Sequence, residues 1–75
     1  MKESTTYHVI LFKSVNQTMW ADKLLKEKGI PHKLIPVPRT ISSDCGVCIR
    51  IESGIVDTVR AEVEAIDGFT GIVRV

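Results

Sequence analysis

Apolar positions along this chain fall into two periods, one for strands and one for helices. Tyr7-His8-Val9-Ile10-Leu11-Phe12 is nearly all apolar and rich in strand formers, which predicts a central strand buried on both faces. Ser14-x-x-Gln17 follows as a capping-box signature, with the serine oxygen placed to accept an orphan amide at a helix start. Trp20, Ala21, Leu24 and Leu25 then share one helical stripe, and Asp22/Lys26 and Lys23/Glu27 add pairs at four-residue spacing. Gly29 suits a left-handed C-terminal cap, and Pro31 prevents continuation.

Lys33-Leu34-Ile35-Pro36-Val37 reads as a second strand, and its proline, unable to donate to a ladder, argues for an edge position. From about Gly46 to Ile51 comes a third strand, in which Val47, Ile49 and Ile51 alternate with Cys48, Arg50 and Glu52. Ser53-Gly54 starts a second helix with the stripe Val56, Val59, Val63 and Ile66, and Gly68 stops it. Gly71 to Val75 closes the chain as a fourth strand, and residues 1–6 read as a flexible tail before a single domain over 7–75.

The order β-α-β-β-α-β with two right-handed crossovers predicts an α+β, ferredoxin-like fold: a four-stranded antiparallel sheet with both helices on one face. Trp20, Leu24, Leu25, Val59, Val63 and Ile66 should then be buried between helices and sheet. The other sheet face should carry an apolar patch, Val9/Leu11 or Ile10/Phe12, because the first strand has too few polar positions to wet one side. A homodimer or a partner contact is expected there.

With 75 residues, 44% hydrophobic and 25% charged, the chain has room for one modest core. Two cysteines are too few for a disulfide scaffold. No apolar run reaches the roughly 20 residues of a membrane span, and residues 1–6 are too polar for a signal peptide. The expectation is a cytoplasmic protein with reduced thiols and no membrane partner.

A formal charge of +1 gives no general attraction to nucleic acid, and interleaved aromatics are missing. Charge is nevertheless uneven: Lys13 to Arg39 holds six basic residues and two acids, Asp44 to Asp67 two basic residues and six acids. That describes either two solvated helix faces or a dipolar surface that orients a protein partner.

Candidate chemistry centres on Cys45-Gly46-Val47-Cys48. Cys45 sits where a loop feeds into a strand, beside a glycine that permits close approach. The topology puts this loop at the same end of the sheet as Lys13, Ser14 and the start of the first helix. A thiol reacts as the thiolate, which helix N-termini and cations favour. Lys13, Arg39 and the helix amides are the stabilisers, with Ser14, Ser42 or Ser43 as hydrogen-bond donors, while Asp44 opposes them. The expected result is a pKa below the roughly 8.5 of a free cysteine. The plainer alternative is a packed, structural Cys45.

Cys48 lies three positions along, where a strand points to the opposite face, so it is a sheet-face residue first and a resolving thiol second. Metal and cofactor are not expected: the loop after the first strand, Lys13-Ser14-Val15-Asn16, has no sulfur ligand, and zinc would need His8 or His32 to join two diverging sulfurs. His8 and His32 read as strand-face and surface residues.

Phe12-x-Ser14, Gly29-Ile30, Pro36-Val37-Pro38-Arg39 and Ile41-Ser42-Ser43-x-Cys45-Gly46 together resemble the selenium/sulfur carrier protein-like family over residues 7–75. The resemblance implies a carrier rather than a turnover enzyme. Cys45 would hold a persulfide or selenopersulfide, taken from one protein donor and passed to a protein acceptor. The alternative class is a non-catalytic interaction domain with a structural cysteine, and the rate of thiol alkylation separates the two.

Overall fold

The computed structural model describes residues 6–39, 41 and 46–75. Strand β1 (Tyr7–Phe12) leads to helix α1 (Val15–Glu27), then β2 (Lys33–Pro36), β3 (Val47–Glu52), a 3-10 turn (Ser53–Ile55), helix α2 (Val56–Val63) and β4 (Phe69–Arg74). One sheet runs β2-β3-β1-β4, with every neighbouring pair antiparallel. The ferredoxin-like expectation holds, and the proline-bearing β2 is an edge strand as predicted.

Register sorts the faces. His8, Ile10 and Phe12 of β1 share a side with Ile49 and Ile51 of β3 and with Ile72 and Phe69 of β4. Ala21 and Leu25 of α1 and Val59 and Val63 of α2 pack on this side and complete the main core. Phe12 and Phe69 meet edge-to-face at 6.0 Å, a favoured ring geometry. Opposite Leu11 and Phe12 the register shifts, because β4 holds one extra residue, Thr70, between Phe69 and Gly71.

Both ends of α1 form as the sequence implies. Ser14 is the N-cap and accepts from the Gln17 amide. At the far end Gly29 turns left-handed at φ +71°, its N–H reaching Lys26 O while Ile30 N–H reaches Leu25 O. This is the Schellman arrangement, in which a glycine supplies a conformation that a Cβ disfavours.

The phase of α1 corrects the expected core. Trp20 is 61% exposed and Leu24 only half-buried. The buried row is instead Thr18, Ala21, Asp22 and Leu25. Two of these are polar, so apolar periodicity alone points one row away. Thr18 donates to Ser14 O at 3.0 Å, and Asp22 is satisfied by ion partners; hydrogen-bonded polar groups can be buried. Small Ala21 against the sheet allows an approach that an indole would block.

Helix α2 is also shorter than its stripe. Ser53 does not cap it; its hydroxyl meets His8 Nδ1 at 2.7 Å, and a 3-10 turn intervenes. Ile66 is half-buried in the turn after α2, bonded through its N–H to Val63 O, and β4 starts early, at Phe69.

Part of the second sheet face is covered by the chain itself. Val9, Leu11 and Cys48 are buried there, with Ile35, Val37 and Ile41 packed against them. The apolar patch expected to need a partner is therefore largely closed from within. Among the described residues no helix is long and apolar enough to cross a membrane.

Candidate functional site at the β2–β3 end of the sheet

Strands β1 and β2 are both antiparallel to β3, so they run in the same direction and finish at one end of the sheet. Lys13 and Ser14 leave β1 there, and Val37, Pro38 and Arg39 leave β2 there. The connection back to β3 is pinned at three points. Val37 N–H bonds Gly46 O at 3.2 Å, extending the β2–β3 ladder by one pair. Ile41 N–H bonds Pro38 O at 3.0 Å, closing a turn with exposed Arg39 at its corner. The Ile41 side chain packs against the Val9–Leu11–Cys48 cluster.

These anchors bracket the segment that carries the candidate chemistry. Cys45, Ser42 and Ser43, with Asp44, lie outside the described residues. Cys45 is joined in sequence to Gly46, which is exposed and has open space where a side chain would stand. Arg39, Gly46, Lys13 and Ser14 are thus brought to the same end of the sheet, and Lys13 is exposed.

Ser14 is more committed than its sequence position suggests. Its hydroxyl donates to Gln17 Oε1 at 3.1 Å and accepts from the Gln17 amide at 3.4 Å. Both polar functions of the hydroxyl therefore serve the helix start. The remaining amides of the first turn of α1 are the donors that this end offers. Lys13 is tied through its backbone, whose N–H bonds Gly68 O at 2.9 Å.

Cys48 stands in mid-strand and is fully buried. It faces away from the helices, on the side that also carries Arg50, as the strand alternation implies. Such a position suits packing and denies solvent reagents access.

The two histidines divide. His8 is a strand residue hydrogen-bonded to Ser53. His32 is not a surface residue: its side chain is 5% exposed, with Nε2 at 2.6 Å from Asp22 Oδ1 and Nδ1 at 2.8 Å from Ile30 O. Burial pushes the Asp22 carboxyl up, but hydrogen bonds from His32 and Lys26, with their charges, outweigh it and hold the pKa below 3.8. No group of three or more potential metal ligands occurs among the described residues.

Sequence reading also missed a cationic group at the opposite end of the sheet. Lys33 and Arg50 are direct cross-strand partners, and the Arg50 guanidinium lies 4.3 Å above the Tyr7 ring. Each residue looked like an ordinary polar strand position; only the register brings them together.

A family described as "Putative Se/S carrier protein-like" matches residues 7–68. That span runs from the start of β1 to the turn before β4 and includes the whole β2–β3 connection. No curated protein and no solved structure matches the chain at a significant level.

Proposed function

Because this chain belongs to the Se/S carrier protein-like family, we propose that it carries sulfur or selenium on Cys45 between protein partners. The observation that carries the proposal is the family match across the β2–β3 connection. The anchoring of the flanking residues Val37, Ile41 and Gly46 at the end of the sheet where Lys13 and α1 begin supports it.

In the proposed step the Cys45 thiolate attacks the terminal sulfur of a donor persulfide. A new Cys45 S–S bond forms, the donor S–S bond breaks, and the donor leaves as a thiolate. Sulfur arrives in the oxidation state in which it left, so no external oxidant or reductant is required. Delivery is the reverse exchange onto an acceptor thiol, and the same accounting applies to selenium. Lys13, Arg39 and the first-turn amides of α1 supply positive potential toward the anionic sulfur; Ser42 and Ser43 supply hydrogen bonds. Gly46 leaves room for the donor's sulfur. Buried Cys48 takes no direct part until the sheet opens.

Incubation with a cysteine desulfurase and cysteine, followed by peptide mass analysis, tests this reading. The expected result is a gain of about 32 Da, one sulfur atom, on the peptide containing Cys45. Cys45→Ser should abolish it and Cys48→Ala should leave it. Sulfur found on Cys48, or on neither cysteine, overturns the proposal. The second reading, an interaction domain with a structural cysteine, draws on the exposed Met19 and Trp20 of α1 and predicts an inert Cys45.

A further inference from the structure

At the end of the sheet remote from Cys45, the β2–β3 ladder stops at the pair Lys33/Arg50. Pro31 has no N–H to continue it, so β3 extends beyond its neighbour and leaves a notch. Tyr7, Pro31, His32, Lys33, Arg50 and Glu52 line a cleft of about 250 Å³ there. We propose that this notch is a binding site for a small tetrahedral oxyanion of the phosphate or sulfate class.

Three observations meet at this point. Directly opposed like charges on neighbouring strands are unfavourable, yet Lys33 and Arg50 face each other on one side of the sheet. Among the described residues neither is in an ion pair: the pairs present are Lys26–Asp22, Lys28–Glu62 and His32–Asp22. An anion between the two cations removes the repulsion.

The Arg50 guanidinium, moreover, is already restrained. Its central carbon lies 4.3 Å from the Tyr7 ring centre, a cation–π contact that limits where the side chain can go. A planar guanidinium can donate two parallel hydrogen bonds to one edge of an oxyanion. Lys33, on the adjacent strand, supplies a point charge from a second direction. Recognition by a restrained group loses less entropy than recognition by a mobile one.

The remaining walls define what the cleft takes. The His32 ring is committed through both nitrogens to Asp22 and Ile30, so it bounds the space without donating. Glu52 lies directly opposite Tyr7 on the same face as Arg50, and its carboxylate opposes an anion from one side. That arrangement favours a compact ligand held against Arg50 and Lys33 over a long acidic segment. The site lies at the opposite end of the sheet from the cysteine loop, so it stands or falls independently of the carrier reading.

The test is an NMR titration of the full chain with inorganic phosphate and with sulfate, at constant ionic strength against sodium chloride. Saturating shifts confined to Tyr7, Lys33, Arg50 and Glu52 are expected. Arg50→Gln and Lys33→Gln should each weaken binding about tenfold, in line with loss of a hydrogen bond to a charged group. Glu52→Gln should tighten it. Arg60→Gln removes the same charge from exposed α2 and should change affinity less than about twofold, because screening weakens remote charges. Circular dichroism confirms that each variant is folded. The inference is overturned if shifts fail to saturate, or if Arg60→Gln weakens binding as much as Arg50→Gln. A response to an acidic hexapeptide but to neither inorganic anion also overturns it.

Discussion

His32 reaches across from the turn after α1 to the buried carboxylate of Asp22, at 2.6 Å, while its other ring nitrogen sits 2.8 Å from Ile30 O. Lys26 closes the cluster at 3.3 Å from Asp22 Oδ2. The group locks the exit from α1 onto the helix and positions the start of edge strand β2.

Asp22→Asn should therefore destabilise the protein by about 3 kcal/mol, the scale for breaking a buried ion pair from one side. That is a large share of the stability expected for a domain of this size. Because the folded Asp22 carboxyl titrates below 3.8, its ionised form is favoured more in the folded state than in the unfolded state. Its contribution is complete above the unfolded value and is lost as pH falls through the lower folded value. Urea denaturation from pH 7 to pH 2 should show wild-type stability declining in that acid window and the Asp22→Asn variant declining less.

Alkylation should distinguish the thiols by position. Cys48, at 0% exposure, should label only when the protein unfolds. The native protein should therefore take up one equivalent of iodoacetamide and the urea-denatured protein two. Native labelling that survives in Cys45→Ser would place Cys48 in contact with solvent and contradict its burial.

Trp20 and Leu25 should behave oppositely although they share one helix. Trp20→Ala removes a side chain that is 61% exposed and should cost less than about 1 kcal/mol. Its native fluorescence should lie close to that of the unfolded chain. Leu25→Ala hollows the core between α1 and the sheet and should cost about 3 kcal/mol. Denaturation midpoints of the two variants decide the point.

Gly68→Ala carries two penalties. Gly68 adopts φ +93°, and a Cβ there would run into the carboxamide of Gln17. Left-handed strain costs about 1 kcal/mol, and displacing Gln17 also breaks its contact with the Ser14 hydroxyl. A loss of about 2 kcal/mol is expected. Adding Gln17→Ala should be less than additive, since the flexible amide is then no longer in the way.

Strands β1 and β3, the edge position of β2 and both ends of α1 were legible in the chain because local chemistry specifies them. An unbroken apolar run needs two covered faces, proline cannot join an inner ladder, and serine and glycine at helix ends have conformations of their own. The element order then restricts the topology to few solutions, and the β-α-β-β-α-β succession was enough to reach this sheet. The Cys45 loop was likewise recognisable, since a family pattern resides in residue identities.

What escaped the sequence depends on pairs of residues distant along the chain. The buried row of α1 was decided by where the sheet received the helix. Asp22 could be buried only because His32, ten positions on, returned to meet it. Part of the second sheet face was closed by Val37 and Ile41, which no periodicity assigns to a core. Lys33 and Arg50 became a site only through strand register. Periodicity reports which residues prefer to avoid water, and it is blind to polar groups that are buried because they are paired. Local sequence determined the elements and their order; the partners available in three dimensions decided which faces were buried and which charges met.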